Sequence, residues 1–272
     1  MTQENRTPAL PTAILLAKEP IVIDPAALAE ELRRRYPVLQ SVVPLPAGDK
    51  ARPNSTIIGV DGSIVAAFAV NAPVPDGWRE LAQRSIQWPG AVEICAQHHA
   101  HVVVAFMGQP KSLLAAARVI TAVAGAIAAL NPVTVVAGLW GARVLNSVEV
   151  WVSLSAGAFA PYPNLPTSLW VSQHLFQDEV TDGVGVLTQG LTRFVGRELE
   201  LIAPKSDLRG LLDHAFCLTT YLLQNGPVLK EGSTFGVSES DRIEVHLQNS
   251  TRFDNLPVIA ATLGASQLAT TK

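Results

Sequence analysis

Charge is scarce in this chain of 272 residues, at 16 % against 48 % hydrophobic residues. That balance excludes disorder as the state of the whole chain, because a segment stays unfolded when it has little apolar surface to bury and much charge. It also implies an apolar surplus on the surface that a partner covers. Basic runs are missing. The net charge is −3, and the single cluster, Arg33-Arg34-Arg35, is not interleaved with aromatics, so the electrostatic footprint of a nucleic-acid binder is absent. The triplet instead ends a predicted helix, where cations complement the dipole. Cysteine is down to two, Cys95 and Cys217, in apolar surroundings without CxxC spacing; they read as buried, reduced thiols rather than a disulfide or a metal site. The first eleven residues, MTQENRTPALP, hold no basic region followed by an apolar one, so no secretory signal is read and a cytoplasmic location is expected.

The motifs of common chemistries are missing too. There is no GxSxG, and Ser153-Leu154-Ser155-Ala156-Gly157 lacks the glycine before the serine that a nucleophile elbow needs. Cys217 and His214 are three apart on a predicted helix, but Leu212, Phe216 and Leu218 around them point to core packing rather than an activated thiol. The stretch GPVLKEGSTFG, 226–236, is rich in glycine yet does not match GxxxxGK[ST] and follows a helix, so its glycines read as turn formers. His98-His99-Ala100-His101 is the densest histidine cluster. In an extended segment His99 and His101 share a face and His98 opposes them, which is short of the three or four ligands of a zinc site. His174, His214 or His246 would have to complete it, and no HExxH spacing does so. Neither a metal nor a cofactor is expected.

What is present is a succession of short strands and helices. Ala13–Lys18 reads as a strand; Asp24-Pro25 supplies an N-cap and a proline at the first helical position of a helix with Leu28 and Leu32 four apart. Residues 37–53 read as a loop, and 56–70 as a hairpin around Asp61-Gly62, which suits the positive φ angles of a type I′ turn. A short helix is predicted over 77–87, a buried strand over 102–106, a long helix over 111–130 and a strand over 133–139. Leu113–Leu130 is apolar enough to raise the question of a membrane span, but Arg118, the alanines and the closing Asn131-Pro132 fit a buried helix. Residues 146–158 mix a Ser147 cap with alternating valines and are read as helix. Strands follow at 169–176, 184–187 and 242–248, with a helix at 207–224 ending at Asn225-Gly226. This order predicts an α+β fold with mixed or antiparallel sheets, helices on one face and two ferredoxin-like halves. The halves are placed at 12–160 and 167–272, after a mobile tail at 1–11, with a linker near Ala160–Pro166.

The most informative stretch is Thr188–Ile202, TQGLTRFVGRELELI. Its alternation places Leu199 and Leu201 on one face of a strand and Glu198 and Glu200 on the other, which reads as one core face and one wet face. The two carboxylates, about 6–7 Å apart along one strand, are a separation that acid/base pairs use; the plainer reading is a solvated face, and replacing both with Gln is expected to leave the fold intact. This stretch, the following DLRGLLDHAFCLTTYLLQNG and GPVLKEGSTFG, and upstream Ala72–Pro75, Trp88-Pro89 and HHAHVVVAF resemble the DUF4261 family of uncharacterised bacterial domains over most of the chain. The resemblance implies a fold and a bacterial origin and carries no catalytic residue with it.

Two classes of function follow. The first is a cytoplasmic protein-binding module without enzymatic activity: an immunity protein neutralising a toxin, as in toxin–antitoxin pairs, or an accessory protein of a secretion system such as type VI. The second is a hydrolase or ligand-binding enzyme using Glu198 and Glu200, or the His98–His101 cluster. Residues 1–149 carry 12 Lys and Arg against 11 Asp and Glu, net +1, and residues 150–272 carry 8 against 12, net −4. The acidic second half is expected to attract a basic protein partner through Glu198, Glu200, Glu239, Asp241 and Glu244.

Overall fold

The computed structural model describes residues 12–46, 54–75, 77–85, 88–131, 133–138, 145–236 and 242–264. The chain divides into two compact units, 1–169 and 170–272. Both combine helices with antiparallel or mixed sheets, so the fold is α+β as the element order predicts.

The first unit starts with strand β1 (Thr12–Ala17) and helix α1 (Pro25–Arg35). Asp24 caps α1 by accepting from the backbone N–H groups of Ala26 and Ala27 at 2.8 and 3.3 Å, and Leu28 and Leu32 are buried. Residues 42–45 form strand β2, which the reading of 37–53 as a loop missed. Pro44 argues against a strand, but β2 is an edge strand, where a missing N–H on the outer side costs nothing. Strands β3 (Ser55–Val60) and β4 (Ser63–Val70) form the expected hairpin, with Asp61 and Gly62 at φ 46° and 79°. The helix read over 77–87 is shorter, α2 (Trp78–Arg84), and a second, α3 (Ala91–Cys95), follows Gly90, whose φ is 86°. Strand β5 (Ala100–Met107), helix α4 (Leu113–Leu130), strands β6 (Val133–Gly138) and β7 (Leu145–Ser147) and helix α5 (Val148–Ser155) complete the unit.

These strands make one seven-stranded sheet in the order β2-β3-β4-β5-β1-β6-β7, antiparallel throughout. Within it β1-α1-β4-β5-α4-β6 has the split βαβ connectivity of ferredoxin-like folds. Helix α4 lies on β1, β4, β5 and β6 and against α1 and α5. Among the described residues it is the one helix long and apolar enough to cross a membrane, and 67 % of it is buried inside the molecule. On the opposite face α2 and α3 cover only one end of the sheet, where Trp78, Leu81, Trp88, Val92 and Ile94 pack on Leu16, Cys95 and Leu145. Helices therefore occupy both faces, not one.

The second unit begins with β8 (Ser172–Asp178) and β9 (Gly183–Gln189), joined through Asp182 at φ 52°. One turn of helix, α6 (Thr192–Val195), leads to β10 (Glu198–Ala203), and α7 (Leu208–Asn225) packs on β9 and β10. The single strand read at 242–248 is broken at Val245: β12 (Ile243–Glu244) pairs with β11 (Thr234–Phe235), and β13 (His246–Asn249) pairs with β14 (Pro257–Thr262). The sheet order is β13-β14-β10-β9-β8, with β14 parallel to β10. The sequence reading did not find β14. The strand orders of the two units differ, so they do not repeat one arrangement.

Candidate functional site

Strand β10 lies between β9 and β14, and every residue from Glu198 to Ala203 is buried. The expected wet face of Glu198 and Glu200 is therefore corrected: they are 5 % and 1 % exposed and belong to no outer surface. Alternation assigned the two faces correctly but not what covers them. Leu199 and Leu201 are fully buried, on the face opposite the glutamates. The turn Ser250–Leu256 lies on the glutamate face, anchored where Phe253 meets Phe176 edge-on at 5.1 Å. Phe176 in turn lies over Gly185, its cross-strand neighbour, where a Cβ would strike the ring.

Glu198 is consumed by its own loop. Its Oε2 accepts from the Thr188 hydroxyl at 2.7 Å and the Leu191 N–H at 3.1 Å, and its Oε1 from the N–H groups of Gly190 and Thr192 at 2.9 and 3.1 Å. Thr188 Oγ1 also accepts the Leu199 N–H at 2.7 Å, continuing the β9–β10 ladder with a side chain. Successive backbone N–H groups that would suit a bound anion are thus filled by a carboxylate of the same chain. With four donors on it, Glu198 has no lone pair oriented for proton transfer.

Glu200 belongs to a second lock. Arg252 donates through Nη1 to Glu200 Oε1 at 3.1 Å and through Nε to Asp178 Oδ1 at 2.8 Å. The other Asp178 oxygen accepts from the N–H and hydroxyl of Thr181. Ser250 Oγ accepts the N–H groups of Arg252 and Phe253, each at 3.1 Å, and so aims the guanidinium. The guanidinium and the Thr181 hydroxyl hold the Asp178 carboxyl below its usual range, and the same contact raises Arg252. Glu200 Oε2 is buried without a hydrogen-bond partner. Arg252 and Asp178 were not singled out in the sequence, because 74 residues separate them and no local pattern ties them together.

The remaining candidates disperse. His98 is 4 % exposed, and both ring nitrogens are engaged: Nε2 accepts the Val74 N–H at 2.9 Å, and Nδ1 is 2.5 Å from the Cys95 carbonyl. His101 Nδ1 meets the Ala72 carbonyl at 2.7 Å, and His99 is exposed. Among the described residues no group of three or more His, Cys, Asp or Glu is placed to hold a metal. His174 Nε2 lies 2.9 Å from Ser172 Oγ, a hydroxyl–imidazole pair on the edge strand β8 with Ser172 only 9 % exposed. His214 Nδ1 contacts the Gly210 carbonyl at 2.9 Å. Burial pushes the Cys95 thiol up to about 11 and also raises Cys217, with help from Asp213; Cys217 is only partly buried. Of the expected acidic partner-binding set, Glu244 is exposed beside β13, whereas Glu239 and Asp241 lie outside the described residues. Beside Glu244, Glu231 binds His246 Nδ1 at 2.8 Å and the Leu247 N–H at 2.6 Å; these two contacts hold its carboxyl below the usual range, and the carboxylate raises His246.

A sheet face without charged residues lies in the first unit. Residues directly opposite on neighbouring strands share a face, and three transverse rows follow from the register. They are Val43–Gly59–Ile64–Met107, then Leu45–Ile57–Ala66–Ala105, then Ser55–Phe68–Val103. The opposite face of these strands, with Ile58, Val60, Val65, Val102 and Val104, is fully buried beneath α1 and α4. On the face of the rows, Val43, Ile64 and Met107 are 48, 43 and 46 % exposed. None of the residues in the rows carries a charge. The sequence signal was present: SIVAAFAV and AHVVVAFM are apolar at both parities, the pattern of strands covered on both faces; among the described residues α1 and α4 cover one of them.

The chain is thus a two-unit α+β protein, with a charge-free apolar sheet face on the first unit and internally locked carboxylates in the second. Residues 187–260, from β9 to β14, match the family model described as a domain of unknown function, DUF4261. The resemblance read over most of the chain is carried in that match by the second unit alone. No curated protein and no solved structure matches the chain.

Proposed function

We propose that the chain is a protein-binding module, of the class that includes immunity proteins neutralising a toxin and accessory proteins of secretion systems. One observation carries the reading: the charge-free face of β2–β5 in the first unit, on which Val43, Ile64 and Met107 are exposed. The largest apolar patch of a protein is often the surface on which a partner docks. The docking surface is therefore moved from the acidic strand of the second half to the first-unit sheet. Glu198 and Glu200 drop out as contact residues because they are buried; of the expected acidic set Glu244 is the exposed acid among the described residues that steers a basic partner. Replacing Ile64 with Lys puts a charge in the exposed row of the face. A stoichiometric protein partner purified with the wild-type chain is expected to be lost from Ile64→Lys while the fold is kept. Retention of that partner by Ile64→Lys and by Met107→Lys contradicts the reading.

A further inference from the structure

Independently of the docking face, we infer that residues 226–236, which leave α7 towards β12, form a proton-controlled strap that Glu231 and a protonated His246 clasp to the edge of the second-unit sheet. No residue from Gln224 to Gly236 is buried. A segment without buried side chains opens locally at a lower free energy than the core beneath it, so the strap depends on its hydrogen bonds. The Gly232 N–H donates to the Val245 carbonyl at 3.0 Å and the Val245 N–H to the Ser233 carbonyl at 2.9 Å, and β11 pairs with β12 beyond them. At the other end lies β13, an edge strand. Its Leu247 N–H donates to Glu231 Oε2 at 2.6 Å, and Glu231 Oε1 meets His246 Nδ1 at 2.8 Å. One carboxylate thus holds two successive residues of the edge. The surrounding charges favour the imidazolium. Glu231 raises His246 first and Glu244 adds to it, while Arg197, which donates to the Gln248 and Val258 carbonyls at 3.1 and 3.3 Å, acts on Glu231. Across the sheet His246 is paired with the uncharged Ala260. The two partners titrate with opposite sign. The contribution of His246 is present below its unfolded value of about 6.5 and lost as pH rises through the higher folded one, and that of Glu231 is present above about 4.3 and lost as pH falls through the lower folded one. The strap is therefore held most firmly between those values. Its release towards alkaline pH uncovers the Leu247 N–H on the sheet edge, the kind of group to which another strand pairs.

Amide hydrogen exchange of the full chain tests this, read residue by residue by NMR at about pH 6 and about pH 8 and corrected for the intrinsic pH dependence of exchange. The Gly232 and Leu247 amides are expected to lose protection roughly threefold between the two conditions, the size of an exposed ion pair. The Leu199 amide, bonded to Thr188 Oγ1 inside the sheet, is expected to keep its own. His246→Gln retains a donor for Glu231 without the charge and should show the lower protection under both conditions. Glu231→Gln should lower protection under both as well. The His246 and Glu231 side chains are 51 and 62 % exposed, so both variants are expected to fold, with unchanged circular dichroism. Wild-type protection that is equal at the two pH values overturns the inference. A pH-dependent loss that survives in His246→Gln, or undiminished protection in Glu231→Gln, overturns it equally.

Discussion

Glu198 and Glu200 are neighbours on one strand with opposite bonding states: the first accepts from four donors and the second shares a single guanidinium with Asp178. Truncating Glu198 to Ala leaves three loop N–H groups and a hydroxyl unsatisfied, and is expected to cost about 3 kcal/mol in chemical denaturation. Glu198→Gln is also expected to lower the denaturation midpoint, because its NH₂ group faces N–H donors. Arg252→Met leaves two buried carboxylates without their cation and is expected to cost roughly 3–5 kcal/mol at neutral pH. Because the folded Asp178 carboxyl is depressed, its contribution is present above the unfolded value of about 3.9 and lost as pH falls through the folded one. The deficit of Arg252→Met relative to wild type should therefore shrink in acid. A deficit independent of pH would contradict the lock. His246 has the reverse sign: its raised pKa favours the fold below the unfolded value and is lost as pH climbs through the folded one. An NMR titration should show the His246 ring titrating above its ordinary range and returning towards it in Glu231→Gln.

At the scale of elements, α4 meets α5 at Gly125, where a Cβ would stand 2.8 Å from the Ser155 Cβ and closer still to its hydroxyl. Ser155 is in turn held by Tyr36, whose hydroxyl donates to its carbonyl at 3.0 Å. Gly125→Ala should lower stability by about 1–3 kcal/mol through overpacking, and Ser155→Gly in the same chain should recover much of it; no recovery would place the strain elsewhere. Capped or turn-marked elements were legible in the sequence: α1 through Asp24-Pro25, the β3–β4 hairpin through Asp61-Gly62, α5 through Ser147 and the end of α7 through Gly226. The elements missed were short or set by distant pairing. Pro44 hid β2, α3 is five residues long, and β14 is defined by lying parallel to β10. For the candidate site the same division holds. Periodicity showed which residues of β10 share a face, but only the tertiary position of Arg252 decides that the glutamate face is internal.

On the scale of the whole molecule, the low charge content goes with the charge-free face of β2–β5. A chain with 16 % charged residues leaves apolar side chains exposed in both units, Val43, Ile64 and Met107 on the β2–β5 face among them. The acidity of the second half is reduced at the surface, because Asp178, Glu198 and Glu200 are buried. Binding should therefore depend more on apolar substitution in the first unit than on salt. The most direct measurement is carbene footprinting of the full chain, free and assembled, read at Val43, Ile64 and Met107 with Leu175 and Val180 as controls. Protection of the first three on assembly, with the two controls unchanged, is the predicted result. Equal labelling of Val43, Ile64 and Met107 in the free and assembled states would contradict the account.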